Sequence, residues 1–190
     1  MMNARINRIV TRVVLPMLLI AATASGQGTR AIERRFTLPD HGPFVIHVPA
    51  DWRQELRQPP NRLPPTITFA PGSGQPFQVL LTTIWPASKE RAPLSRDRLR
   101  AVVERSAQSA RAQSIERDLP LVEFQGRSGP GFYFSAPDRA PKPGEFDSLT
   151  HGIVRVGELS VTFTILTNKV QEPIVKQALD ALKGALQEGA

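Results

Sequence analysis

Two apolar stretches, Ile153–Val156 and Leu159–Ile165, flank the dipeptide Gly157-Glu158, and no other part of the chain limits the fold so tightly. Glycine at the first position of a two-residue turn suits a type II′ hairpin, whose twist matches that of paired strands. This turn sets Val156 opposite Leu159, Val154 opposite Val161 and Arg155 opposite Ser160. The first two pairs are apolar and the third is polar. Turn chemistry and face pattern therefore select one register, with Arg155 and Ser160 on the wet face. A chain built around such a hairpin requires an antiparallel sheet.

Further strand signals lie between clusters of proline and glycine. Phe36–Leu38 is a short strand ending at Pro39, and Phe44–Val48 places Phe44, Ile46 and Val48 on one face and His47 on the other. Residues 53–65 are polar, hold four prolines and read as a loop. Thr66–Phe69 follows as a strand, and Phe77–Trp85 is apolar on both sides, the pattern of a central strand covered on both faces. Leu119–Gln125 and Phe132–Phe134 add two more strands. Residues 136–147 read as an exposed loop.

Two helices are legible. Ser95 is a suitable N-cap for a helix over residues 95–114, with Asp97 in its first turn. Its buried stripe reads Leu99, Val102, Val103, Ser106 and Ala110. The second covers residues 171–187, admits Pro173 in its first turn and buries Ile174, Val175, Ala178, Leu179, Leu182 and Leu186. The fold class is α+β, a largely antiparallel sheet with two amphipathic helices packed on it, in the order β-β-β-β-α-β-β-β-β-α.

The N-terminus looks like an export signal. Arg5, Arg8 and Arg12 precede a short apolar run from Val13 to Ala22, and Ala22-Thr23-Ala24 has the small-x-small form of a cleavage site. The expected organisation is a cleaved signal peptide over 1–24, a flexible linker over 25–35 and one domain over 36–188. Cleavage after Ala24 is preferred to cleavage after Gly26, and retention of the run as an anchor is the competing outcome. The destination is periplasmic or secreted. The 190 residues include no cysteine, which removes a lipid anchor, disulfides and thiol chemistry together. The net charge of +7 loses three arginines and no acid with the signal, leaving +4, too little for a nucleic-acid surface.

No catalytic or cofactor pattern emerges. The glycines of Gly72-Ser73-Gly74 and Gly126-Arg127-Ser128-Gly129 lack nucleophile-elbow spacing and read as turns. His41, His47 and His151 are too far apart in sequence to form a metal motif, even with Asp40 and Asp147 as helpers. Asp97 and Glu104 share a helix side, but read as a solvated face. Arg96, Arg98, Arg100, Arg105 and Arg111 border the apolar stripe of the first helix. They read as packing stems, with an anion-binding patch as the sharper alternative. Trp52 and Trp85 read as core or as lining for a ligand pocket, and Tyr133 as a sheet-surface residue.

The strand ending in Val48-Pro49-x-x-Trp52, followed by two strands, a helix, a run of hairpins and a closing amphipathic helix, resembles the PsbP-like α/β/α family. That family includes the extrinsic PsbP protein of photosystem II, periplasmic DcrB-like proteins and a Ran-binding nuclear-import factor. The resemblance spans residues 36–186 and implies a non-catalytic accessory or partner-binding domain. It transfers no functional residue. The functional expectation is an exported accessory domain of the bacterial envelope with a protein partner. The alternative is a carrier of a small molecule or lipid in a pocket between sheet and helix, near Trp52 or Trp85.

Overall fold

In the computed structural model, which describes residues 30–60, 63–85, 92–168 and 171–189, the hairpin takes the register its sequence selects. Strands β8 (Ser148–Val156) and β9 (Leu159–Thr167) pair Val156 with Leu159, Val154 with Val161 and Arg155 with Ser160. Gly157 has φ +62° while Glu158 does not share a positive φ, as a type II′ turn requires. One detail differs. Ser160 is 4 % exposed, so the face expected to be wet is covered there.

The hairpin forms the middle of a seven-stranded antiparallel sheet. Its other members are β3 (Trp52–Arg57), β4 (Thr66–Pro71), β5 (Phe77–Ile84), β6 (Val122–Gly126) and β7 (Gly129–Pro137), in the order β3-β4-β5-β9-β8-β7-β6. A second sheet has three antiparallel strands, β1 (Ala31–Leu38), β2 (Gly42–Pro49) and β10 (Leu186–Gln187), with β2 in the middle. Helix α1 (Arg96–Ala110) lies between β5 and β6 in sequence, and α2 (Glu172–Gly184) between β9 and β10. The fold is α+β, with two helices and antiparallel sheets.

Alternation along the strands puts the helices on opposite faces of the large sheet. Phe132, Phe134 and Ile153 pack with Leu99, Val103 and Ala107 of α1. Their sequence neighbours Tyr133 and Val154 turn the other way, into the cluster that holds Ala178, Leu179 and Leu182 of α2. The small sheet joins that second cluster through Phe36, Phe44, Ile46 and Val48, against Trp52, Phe69 and Phe77. The main core is therefore sealed by α2 and the small sheet together. Gly152 makes one close approach possible: a Cβ there would meet the Phe132 carbonyl and the Phe163 ring.

Local chemistry sets the helix ends. The Ser95 hydroxyl accepts a hydrogen bond from the Arg98 amide at 3.3 Å, capping α1. Pro173 occupies the first turn of α2. The buried stripe of α1 is Leu99, Val103 and Ala107. Leu99 and Val103 are as expected, Ala107 was not anticipated, and Val102, Ser106 and Ala110 are half-buried and border a groove.

Four expectations are corrected. Residues 31–35, read as tether, belong to β1 and pair with β2 from Ala31 opposite Pro49. Residues 53–57, read as loop, form β3 and pair with β4. Leu186, read as the end of a helical stripe, pairs with Val45 after Ala185 turns extended at ψ 147°. The second face of β5 is only partly covered: Gln78 and Ile84 are exposed there, while Leu80 and Thr82 are half-buried. The reading of residues 1–24 as a signal, and both cleavage points, lie outside the described residues. Among the described residues, no helix is long and apolar enough to cross a membrane.

Candidate functional site

The hairpin, β7 and α2 enclose a cleft of about 560 Å³. Thr167 at the end of β9 and Gln171 and Glu172 at the start of α2 line one end of it. The cleft has three kinds of wall. Its apolar floor comes from Ala136, Val175 and Leu179, with the Tyr133 ring beside them. Its hydroxyl wall is Ser135, Thr150 and Thr167, and the Ser135 and Thr150 oxygens lie 2.9 Å apart. Its charged rim is Glu172, Lys176, Asp180 and Lys183 on successive turns of α2.

Helical spacing builds that rim. Asp180 accepts from Lys176 four residues earlier at 2.5 Å and from Lys183 three residues later at 3.3 Å. The Lys176 hydrogen bond, helped by Lys183, holds the Asp180 carboxyl below its ordinary value. The rim carries two ammonium groups and two carboxylates, so it offers no strong field to a simple ion. Gln171, at the cleft mouth, accepts from the Asn168 amide at 3.1 Å and steadies the entry to α2.

A second, shallower groove of about 600 Å³ lies on the other face, beneath α1. His151 sits there with Arg105, Ser106 and Ser109. His151 Nδ1 is 3.0 Å from the Thr164 hydroxyl, and the ring meets Phe134 edge-on with centroids 5.9 Å apart. Burial pushes the imidazole pKa below its ordinary value. A hydroxyl beside an imidazole is half of a nucleophile–base pair. However, among the described residues no further side chain hydrogen-bonds the ring, as a nucleophile–base pair would need.

The residues singled out by sequence are dispersed. His41 stacks on Trp85 with ring centroids 4.8 Å apart, and His47 points to solvent 3.8 Å from Glu33. Among the described residues, no three potential ligands cluster as a metal site would require. Asp97 is exposed near Arg96, and Glu104 accepts from Arg100 at 2.9 Å. Arg96 grips Glu123 and lies 5.6 Å over the Phe132 ring, while Arg111 reaches Asp118 at 3.6 Å. The Arg96 hydrogen bond holds the Glu123 carboxyl below its ordinary value. Three of the five arginines of α1 and its C-cap, Arg96, Arg100 and Arg111, are thus matched by carboxylates. Trp52 is 3 % exposed and packs on Phe69 and Phe77.

A pocket between sheet and helix does exist, but neither tryptophan lines it. Tyr133 lines it instead, because its ring turns to the face of the sheet on which α2 packs. The reading of Tyr133 as sheet surface missed this, since nothing in the Phe-Tyr-Phe triplet states which face a distant helix covers. No protein-family model matches the chain, and no curated protein matches it.

Proposed function

We propose that this chain is an exported, non-catalytic accessory domain of the bacterial envelope that holds a segment of a protein partner in the cleft beneath α2. The observation that carries this reading is the cleft itself, partly open and lined by apolar residues, hydroxyls and a charge-balanced rim. A fully enclosing site is the usual solution for a small ligand, whereas an open amphipathic groove suits a chain segment that brings apolar and polar groups together. The α+β order of elements, which resembles the PsbP-like family, and the export pattern around Arg5 to Ala24 supply the setting.

The cleft volume also favours a second reading. At about 560 Å³ it falls in the range of small-molecule sites, so a carrier of a small molecule or lipid is the alternative.

The test places a photo-crosslinking amino acid at Lys176 in the full chain, expressed in its native cells, with and without Val175→Arg. The expected result is an adduct to one envelope protein that Val175→Arg abolishes. No protein adduct, together with a small molecule retained by the native chain and released by Val175→Arg, replaces this reading with the carrier. An adduct that Val175→Arg leaves unchanged overturns the cleft as the site.

A further inference from the structure

Strand β3 closes one edge of the large sheet, and among the described residues it pairs only with β4. Arg53 to Arg57 are all exposed, and Leu56 is 46 % exposed. An open edge is a row of unpaired backbone donors and acceptors that invites another strand. Charged side chains usually blunt such edges, and β3 has three, Arg53, Glu55 and Arg57, at alternate positions on one face.

Their order matters more than their number. When a strand meets a second copy of itself antiparallel about Gln54, Arg53 falls opposite Glu55 of the second copy. The two-fold axis repeats that pair as Glu55 opposite Arg53. The same register brings Arg57 opposite Asp51. On the other face it sets Gln54 against Gln54 and the exposed Leu56 opposite Trp52, whose ring stays in the core. Each opposite-charge pair is favourable. Centring on Glu55 instead would oppose Glu55 to Glu55 and Arg53 to Arg57, which repels. Centring on Leu56 would oppose Glu55 to Arg57, but it makes no second kind of charge pair and sets Arg53 against Pro59. The Gln54 register, with both Arg53–Glu55 and Arg57–Asp51 pairs, is the one the edge favours.

The edges at β1 and β6 do not share this property. On β1, Arg35 is already held by Glu188 and Glu33, and centring on Arg34 would oppose arginine to arginine. On β6, Glu123 is spent on Arg96. We infer that a second copy of this chain docks antiparallel on β3, joining two seven-stranded sheets into one across a two-fold axis at Gln54.

Sedimentation equilibrium of the full chain tests this, using the native protein, Arg53→Glu, Glu55→Arg and the double variant. Each single change makes two like-charge pairs and weakens the dimer by about tenfold or more. The double variant restores opposite charges in the same register and recovers native affinity. A native chain that is monomeric up to about 100 µM overturns the proposal, as does a dimer indifferent to the single changes.

A second measurement does not depend on affinity. The chain has no cysteine, so Gln54→Cys introduces a lone thiol at the proposed axis. Directly opposed residues bring their Cβ atoms to about 5 Å, close to disulfide geometry. Mild oxidation then yields a covalent dimer from Gln54→Cys and not from Leu56→Cys. Equal cross-linking of both variants, or of neither, rejects the register.

Discussion

His151 and Thr164 stand directly opposite each other across the β8–β9 ladder, with the imidazole Nδ1 3.0 Å from the threonine hydroxyl. His151 lines the groove under α1, where burial lowers the affinity of the ring for a proton.

This has a consequence for stability with a definite sign. The folded pKa lies below the unfolded one, so the unfolded chain binds more protons in the interval between them. Stability is complete above the unfolded imidazole value of about 6.5 and declines as pH falls through that value. The decline ends once the folded ring also titrates. Urea unfolding between pH 5 and 7.5 should show the native midpoint dropping toward acid, and His151→Gln should flatten that slope. An unaltered slope in the variant would show that the ring is not the group responsible.

Gly152 is paired with Tyr133 on one side and Phe163 on the other, and it has no room for a methyl group. Replacing it by alanine forces the Phe163 ring or the Phe132 backbone to move. The expected loss is about 1–3 kcal/mol in equilibrium unfolding, the usual range for overpacking a core. Ala substitution at Gly144, where no atom lies within 4 Å, serves as a control for space, although its positive φ adds backbone strain.

The face of α1 can be checked by two truncations. Leu99 is 0 % exposed, and Leu99→Ala should cost about 2–5 kcal/mol. Val102 borders the open groove, and Val102→Ala should cost clearly less. Equal losses would mean that the helix is rotated relative to the sheet.

Gly157 holds a left-handed φ of +62° at the hairpin turn. Gly157→Ala should destabilise the fold by about 1–2 kcal/mol, the cost of that conformation for a residue with a Cβ. The measurable outcome is a lower urea midpoint, and an unchanged midpoint would show that the turn relaxes freely.

The hairpin shows how far local pattern reaches. Turn glycine and alternating apolar residues were enough to give the register from Val156–Leu159 outward, because both signals act within about a dozen residues. The N-cap at Ser95 was legible for the same reason. Strand β3 was not, because an edge strand exposed on both faces from Arg53 onward carries no alternation to read. Nor was β10. Leu186 continues the helical spacing of α2, and only pairing with Val45, about 140 positions earlier, makes it a strand.

The candidate cleft divides the same way. Sequence alone determined the α+β class, much of the amphipathic face of each helix and the strand that carries Tyr133, while the strands it marked stop short of Ser135, Thr150 and Thr167. Those properties follow from spacing and turn chemistry within each segment. Tertiary structure decided which face of the sheet α2 would cover, and so which residues line a cavity while Trp52 fills the core. That choice rests on burial between segments far apart in the chain, and local periodicity holds no record of it.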